Sequence, residues 1–153
     1  MGIERDIEVR ILTSYDNCLE LLDNLTRDFW TYNQDGTVNT LAADDIEDFD
    51  FKIYSFSEAC KIFRERENQN LPITLTLWER DYDDSILLTI EKLENTYKDT
   101  GTHYKLNFSP GYGKRIDGAS RYTDYGYYLN QLIPKLDKMG CGIAEYKCQD
   151  FDF

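Results

Sequence analysis

Ile7, Val9 and Ile11 alternate with Glu8 and Arg10, the two-residue period of a half-buried strand. Ser14 then stands where a helix cap is wanted, and Cys18, Leu21, Leu22, Leu25 and Phe29 follow at helical spacing. This predicts a first helix with Glu20, Asp23, Arg27 and Asp28 on its wet side. Asp35-Gly36 suits a tight turn, so a hairpin is expected between 30–32 and 37–41. Phe49, Phe51 and Ile53 alternate as a further strand. Ser55 and Glu58 form a capping box, and Phe56, Ala59, Cys60 and Phe63 supply the stripe of a second helix that fades by Glu67.

Ile73, Leu75 and Leu77 alternate with threonines and Trp78, and Ile86, Leu88 and Ile90 alternate again beyond a polar tip. These predict an antiparallel hairpin. Tyr104, Leu106 and Phe108 make another strand. Residues 109–120 hold three glycines and a proline and predict one long surface loop. Thr123 is the expected cap of a third helix, whose apolar face is Tyr125, Tyr128, Leu129, Leu132, Ile133, Leu136 and Met139. Pro134 predicts a kink or restart within it, because proline removes a backbone donor. Ile143 to Cys148 predicts a last strand.

Alternating strands imply a sheet with one wet face. The expected fold class is therefore α+β: a mostly antiparallel sheet with about three helices packed on one face. With 153 residues the prior is a single domain spanning 1–153. An echo at an offset of 42 residues (Arg10-Ile11-Leu12-Thr13 before Cys18, Lys52-Ile53-Tyr54-Ser55 before Cys60) raises an internal repeat of strand, helix and hairpin near 5–45 and 47–92.

Charge changes the picture. Residues 1–100 carry 23 acidic against 10 basic side chains, a net of −13, whereas 101–153 carry 6 against 7. The whole chain stands at −12. With 12 Tyr, 8 Phe and 2 Trp it is too aromatic for an acidic disordered chain. A net charge of −12 without a basic stripe repels phosphate and argues against direct nucleic-acid contact. No apolar run is long enough to span a membrane, and an N-terminus holding Glu4, Asp6 and Glu8 is not a signal peptide, so a cytoplasmic location is expected. The four cysteines form no C-x-x-C pair and read as reduced thiols.

No complete catalytic signature is present, and no cofactor, metal site or catalytic residue is expected. His103 is the only histidine, no G-x-S-x-G elbow exists, and Asp81 and Asp83 are followed by Ile86 where a calcium loop needs glycine. Gly111-Tyr112-Gly113-Lys114-Arg115 lacks the spacing of a phosphate-binding loop. The sharpest features are the acidic run Asp44, Asp45, Glu47, Asp48, Asp50 and the acidic tip Asp81, Asp83, Asp84. Trp78 and Tyr82 beside the tip are candidate anchors. Carboxylates steer a basic partner and aromatics supply the buried contact.

In size, charge and lack of catalytic signature the chain is similar to the small acidic immunity proteins that bacteria keep beside secreted toxins. The likeness is one of profile, carried by no motif. It implies a protein that is not an enzyme, and that docks on a basic toxin domain, such as a nuclease, and covers its active site. Two alternatives remain open. One is a DNA mimic with carboxylates in two phosphate-spaced rows, blocking a nucleic-acid-binding or defence protein. The other is a small-molecule-binding domain or enzyme that uses loop 109–120, with His103, Lys114, Arg115 and Tyr122 around one pocket.

Overall fold

A computed structural model describes residues 3–45, 51–80, 84–94, 101–111 and 113–152. Its spine is an antiparallel sheet. β1 (Ile3–Thr13) is flanked by β10 (Gly142–Asp152) on one side and β7 (Thr102–Ser109) on the other. β6 (Ser85–Leu93), β5 (Ile73–Glu79), β3 (Thr37–Thr40) and β4 (Lys52–Ser55) continue the order, and the short β2 (Trp30–Thr31) pairs with the end of β5.

The two-residue period decides which side is buried. Ile7, Val9 and Ile11 of β1, Leu75 and Leu77 of β5, Leu88 and Ile90 of β6, and Tyr104, Leu106 and Phe108 of β7 all point to one face and are buried. The three helices pack there. α1 (Cys18–Leu25) contributes Leu21, Leu22 and Leu25, α2 (Phe56–Asn68) contributes Ala59 and Phe63, and α3 (Tyr125–Lys138) contributes Tyr128, Leu132 and Leu136. Among the described residues no helix covers the opposite face. Its cross-strand rows carry Thr74–Thr89–Asn107–Glu8–Lys147 and Glu91–Lys105–Arg10–Glu145. The α+β expectation holds, with helices on one side and the other side wet.

Helix ends follow local chemistry, with two caps displaced from the sequence reading. Ser55 caps α2 as expected, its hydroxyl accepting from Glu58 N–H. α1 is capped by Asn17, whose side chain accepts from Glu20 N–H at 2.9 Å, and not by Ser14. α3 is capped by Asp124 and not by Thr123, because the Thr123 hydroxyl is already committed to Asp150. α1 also stops at Leu25, short of Phe29. Arg80 donates to the Thr26 carbonyl at 2.6 Å and through its N–H to the Phe29 carbonyl at 3.1 Å, which pulls this stretch into pairing with β5.

Three further expectations need correction. The Asp35-Gly36 turn exists, with both residues at positive φ, but it closes only a Gln34–Thr37 bridge. β2 then pairs with β5 and β3 pairs with β4 and β5, so 30–32 and 37–41 do not form a hairpin. Residues 109–120 are not one loop: β8 (Arg115–Ile116) and β9 (Ala119–Thr123) form a small hairpin turned at Gly118. α3 runs as one helix through Pro134, so the helix does not restart there. Pro134 and Asn130, whose carbonyl loses its donor, are both exposed, so the freed carbonyl lies on the solvent side of the helix. The two stretches of the 42-residue echo occupy different places: β1 is an 11-residue strand inside the sheet, and β4 a 4-residue strand at its edge.

Candidate protein-binding surface

The nominated acidic residues that the structure describes, Asp44, Asp45 and Asp84, flank β5 from opposite ends. Asp84 is exposed where the chain enters β6, and its carbonyl accepts from Glu79 N–H at 3.0 Å. Asp44 is exposed and Asp45 half-buried just after β3, beside the start of β5. Buried Arg66 of α2 holds that end together. Its guanidinium donates to the carbonyls of Ala42, Asp45 and Pro72, each at 2.7 Å. Burial lowers the Arg66 pKa, opposed by the charges of Asp45 and Asp44. The two acidic ends are thus separated by seven residues of strand, roughly 20 Å at 3.3 Å per residue. Glu47, Asp48, Asp50, Asp81, Tyr82 and Asp83 lie outside the described residues.

Trp78 is brought together with Asp84. It is half-buried on the helix-free face, opposite Ser85. It lines a groove of about 280 Å³ with Gln34, Thr37, Asn39 and Ile53. Ile53 is 73% exposed, the highest value among the exposed large apolar side chains of the described residues. The sequence pattern gave Ile53 only as a strand residue in phase with Phe51. The Val38–Tyr54 pairing turns Tyr54 toward the helices and Ile53 outward instead. Nothing in the local alternation announces this, because the phase of a four-residue edge strand is set by its neighbour. Exposed Asp35 sits on the turn between Gln34 and Thr37 at the same corner.

The pocket imagined around loop 109–120 is not assembled. His103 is buried at one end of β7, in register with Leu12 and Leu93. Lys114, Arg115 and Tyr122 lie beyond the other end, past Ser109. The glycine stretch is instead pressed onto α3. Gly113 has φ +57°, and a side chain there would meet the Tyr128 hydroxyl at 2.5 Å. Lys114 N–H donates to that same hydroxyl at 2.8 Å, and Arg5 donates to the Gly111 carbonyl at 2.7 Å. Backbone groups that would cradle an anion are here used to dock the segment.

One buried carboxylate escaped the sequence reading. Glu79 ends β5 pointing inward, 4% exposed, and accepts from the Tyr127 hydroxyl at 3.1 Å. Its second carboxylate oxygen has no partner among the described residues. Burial raises its pKa, opposed by the Tyr127 hydrogen bond and the Lys114 charge. The only hint in the sequence is phase: Glu79 continues the inward series Ile73, Leu75, Leu77.

Thiol chemistry is muted. Burial raises the pKa of Cys18, Cys60, Cys141 and Cys148, which keeps each as thiol and not thiolate. Among the described residues no three His, Cys, Asp or Glu side chains gather as a metal site, and no helix is long and apolar enough to cross a membrane. Comparison with protein families, curated proteins and solved structures finds no match.

Proposed function

We propose that this chain is a small acidic binding protein of the immunity type, which docks on a basic toxin domain and occludes its active site. The observation that carries the reading is the corner formed by Ile53 and Trp78 on the helix-free face. An aliphatic side chain 73% exposed beside a half-buried indole is what a buried interface centre requires. Asp35 and Asp84 flank that corner, and the net charge of −12 adds a long-range field. In this mechanism the carboxylates accelerate the encounter and set orientation, while Trp78 and Ile53 become desolvated and hold the complex. The DNA-mimic alternative gains nothing from the open face, where Lys147 bridges Glu8 at 3.3 Å and Lys105 bridges Glu91 at 3.4 Å, so acids and bases interleave.

The test is capture from the producing cells, with Ile53→Asp as the matched control. Ile53 is exposed, so the substitution should leave the melting temperature close to wild type. The expected result is a basic protein retained by wild type, whose enzymatic activity the wild-type chain suppresses and Ile53→Asp does not. Retention of no basic protein, or equal inhibition by both chains, would overturn the proposal.

A further inference from the structure

The sheet has a second edge, far from the Ile53 corner. β10 runs for 11 residues along it, paired on its inner side with β1, and no described strand pairs with its outer side. Such an edge is a template for another strand. Its far end is covered: the Tyr125 hydroxyl donates to the Gln149 carbonyl at 2.5 Å, and the Asp150 carboxylate accepts from Thr123 N–H at 3.0 Å. That leaves 142–148, where Ala144, Glu145, Tyr146 and Lys147 are exposed, Tyr146 at 55%.

We infer that β10 pairs antiparallel with β10 of a second copy of this chain, about a two-fold axis at Tyr146. The charge pattern selects this occupant and this register. An antiparallel self-pairing centred on Tyr146 places Glu145 directly opposite Lys147 of the second copy, and Lys147 opposite its Glu145. Both lie on the helix-free face, where Lys147 already bridges Glu8 at 3.3 Å and Glu145 stands opposite Arg10. The row across the junction then reads Glu8, Lys147, Glu145 and Arg10 of the two copies in turn, alternating in sign throughout. Opposite charges directly across a strand pair are favourable and like charges unfavourable, so a shift of one residue in register forfeits the match. The two tyrosines meet at the axis on the other face, an aromatic cross-strand pair. A symmetric, self-complementary contact closes as a dimer and consumes the open edge. It leaves Ile53 and Trp78 free, so its failure and that of the proposed function are separable.

Sedimentation velocity on the full chain tests this. Wild type should sediment as a dimer at tens of micromolar, and Lys147→Glu, which sets Glu145 opposite an acid on both sides of the axis, should weaken association at least about tenfold. Independently of that variant's stability, Tyr146→Cys should form an intermolecular disulfide under mild oxidation, since directly opposed Cβ atoms lie about 4.5–5.5 Å apart. Ser57→Cys, exposed on α2, should not. A wild-type chain that stays monomeric up to about 1 mM, or Tyr146→Cys that crosslinks no faster than Ser57→Cys, overturns the inference.

Discussion

Arg66 satisfies three backbone carbonyls from a single buried guanidinium, and through them it fixes both the start of β5 and the entry to the acidic run. Arg66→Met keeps much of the volume but leaves those acceptors unpaired, and we expect a loss of about 2–4 kcal/mol in chemical denaturation. Arg66→Lys should rescue little of it, since an ammonium cannot reproduce the planar fork. Glu79 makes the complementary case. Burial raises its folded-state pKa above the unfolded value, so its carboxyl costs little in acid and weakens the fold as pH rises through the folded value. Glu79→Gln should therefore stabilise the protein by about 1 kcal/mol near pH 8 and have little effect near pH 4, read from urea midpoints at the two pH values. Neither residue was legible as special in the sequence. Arg66 looks like a polar position in a fading helix, and Glu79 like the first acid of a surface tip. Only tertiary placement, the sheet ending over Tyr127 and the chain returning past Pro72, gives them their roles.

Periodicity carried the elements well. The long strands of the central sheet and the three helices formed where the pattern put them, with α1 ending short of Phe29 and Ile53 out of the phase expected for it, because a buried face on this scale overrides local detail. What failed was pairing and termination. The Asp35-Gly36 turn formed, yet its hairpin did not, since β5 offers Trp30 and Thr31 a better partner in Glu79 and Trp78. β8 and β9 were hidden because a two-residue strand has no period to read and β9, with only Thr123 buried, carries no alternating apolar face. The segment around them is secured by Asp150, which accepts from Thr123 N–H at 3.0 Å, Thr123 Oγ1 at 2.9 Å and the Tyr125 hydroxyl at 2.6 Å. Burial pushes the Asp150 pKa up, but these hydrogen bonds and the Arg5 charge hold it below the usual carboxylate value. A depressed folded value contributes stability above the unfolded pKa that disappears as pH falls through the folded one. Asp150→Ala should thus cost about 2–3 kcal/mol near pH 7, and less in acid, where wild type has lost the same contribution. Calorimetric melting across pH checks this.

At the scale of the molecule, charge was legible from composition and surface was not. The sequence located the acid in the first hundred residues, but it could not say that Asp44 and Asp84 stand at opposite ends of β5, or that Ile53 faces outward. These depend on strand phase and sheet order, which no local window contains. The account that results assigns two distinct tasks to one docking surface. In the proposed function, the long-range field of the acidic chain would govern how quickly the partner arrives, and the Ile53–Trp78 corner how long it stays. The two tasks separate in kinetics. The most direct measurement is stopped-flow association and dissociation with the captured basic partner, as a function of ionic strength, for wild type, Ile53→Asp and a chain with Asp44 and Asp45 reversed to lysine. The account predicts that wild-type association slows steeply with salt, that the charge reversal slows association and flattens its salt dependence, and that Ile53→Asp mainly speeds dissociation. An association rate indifferent to salt and unchanged by the reversal, with a dissociation rate indifferent to Ile53, would contradict it.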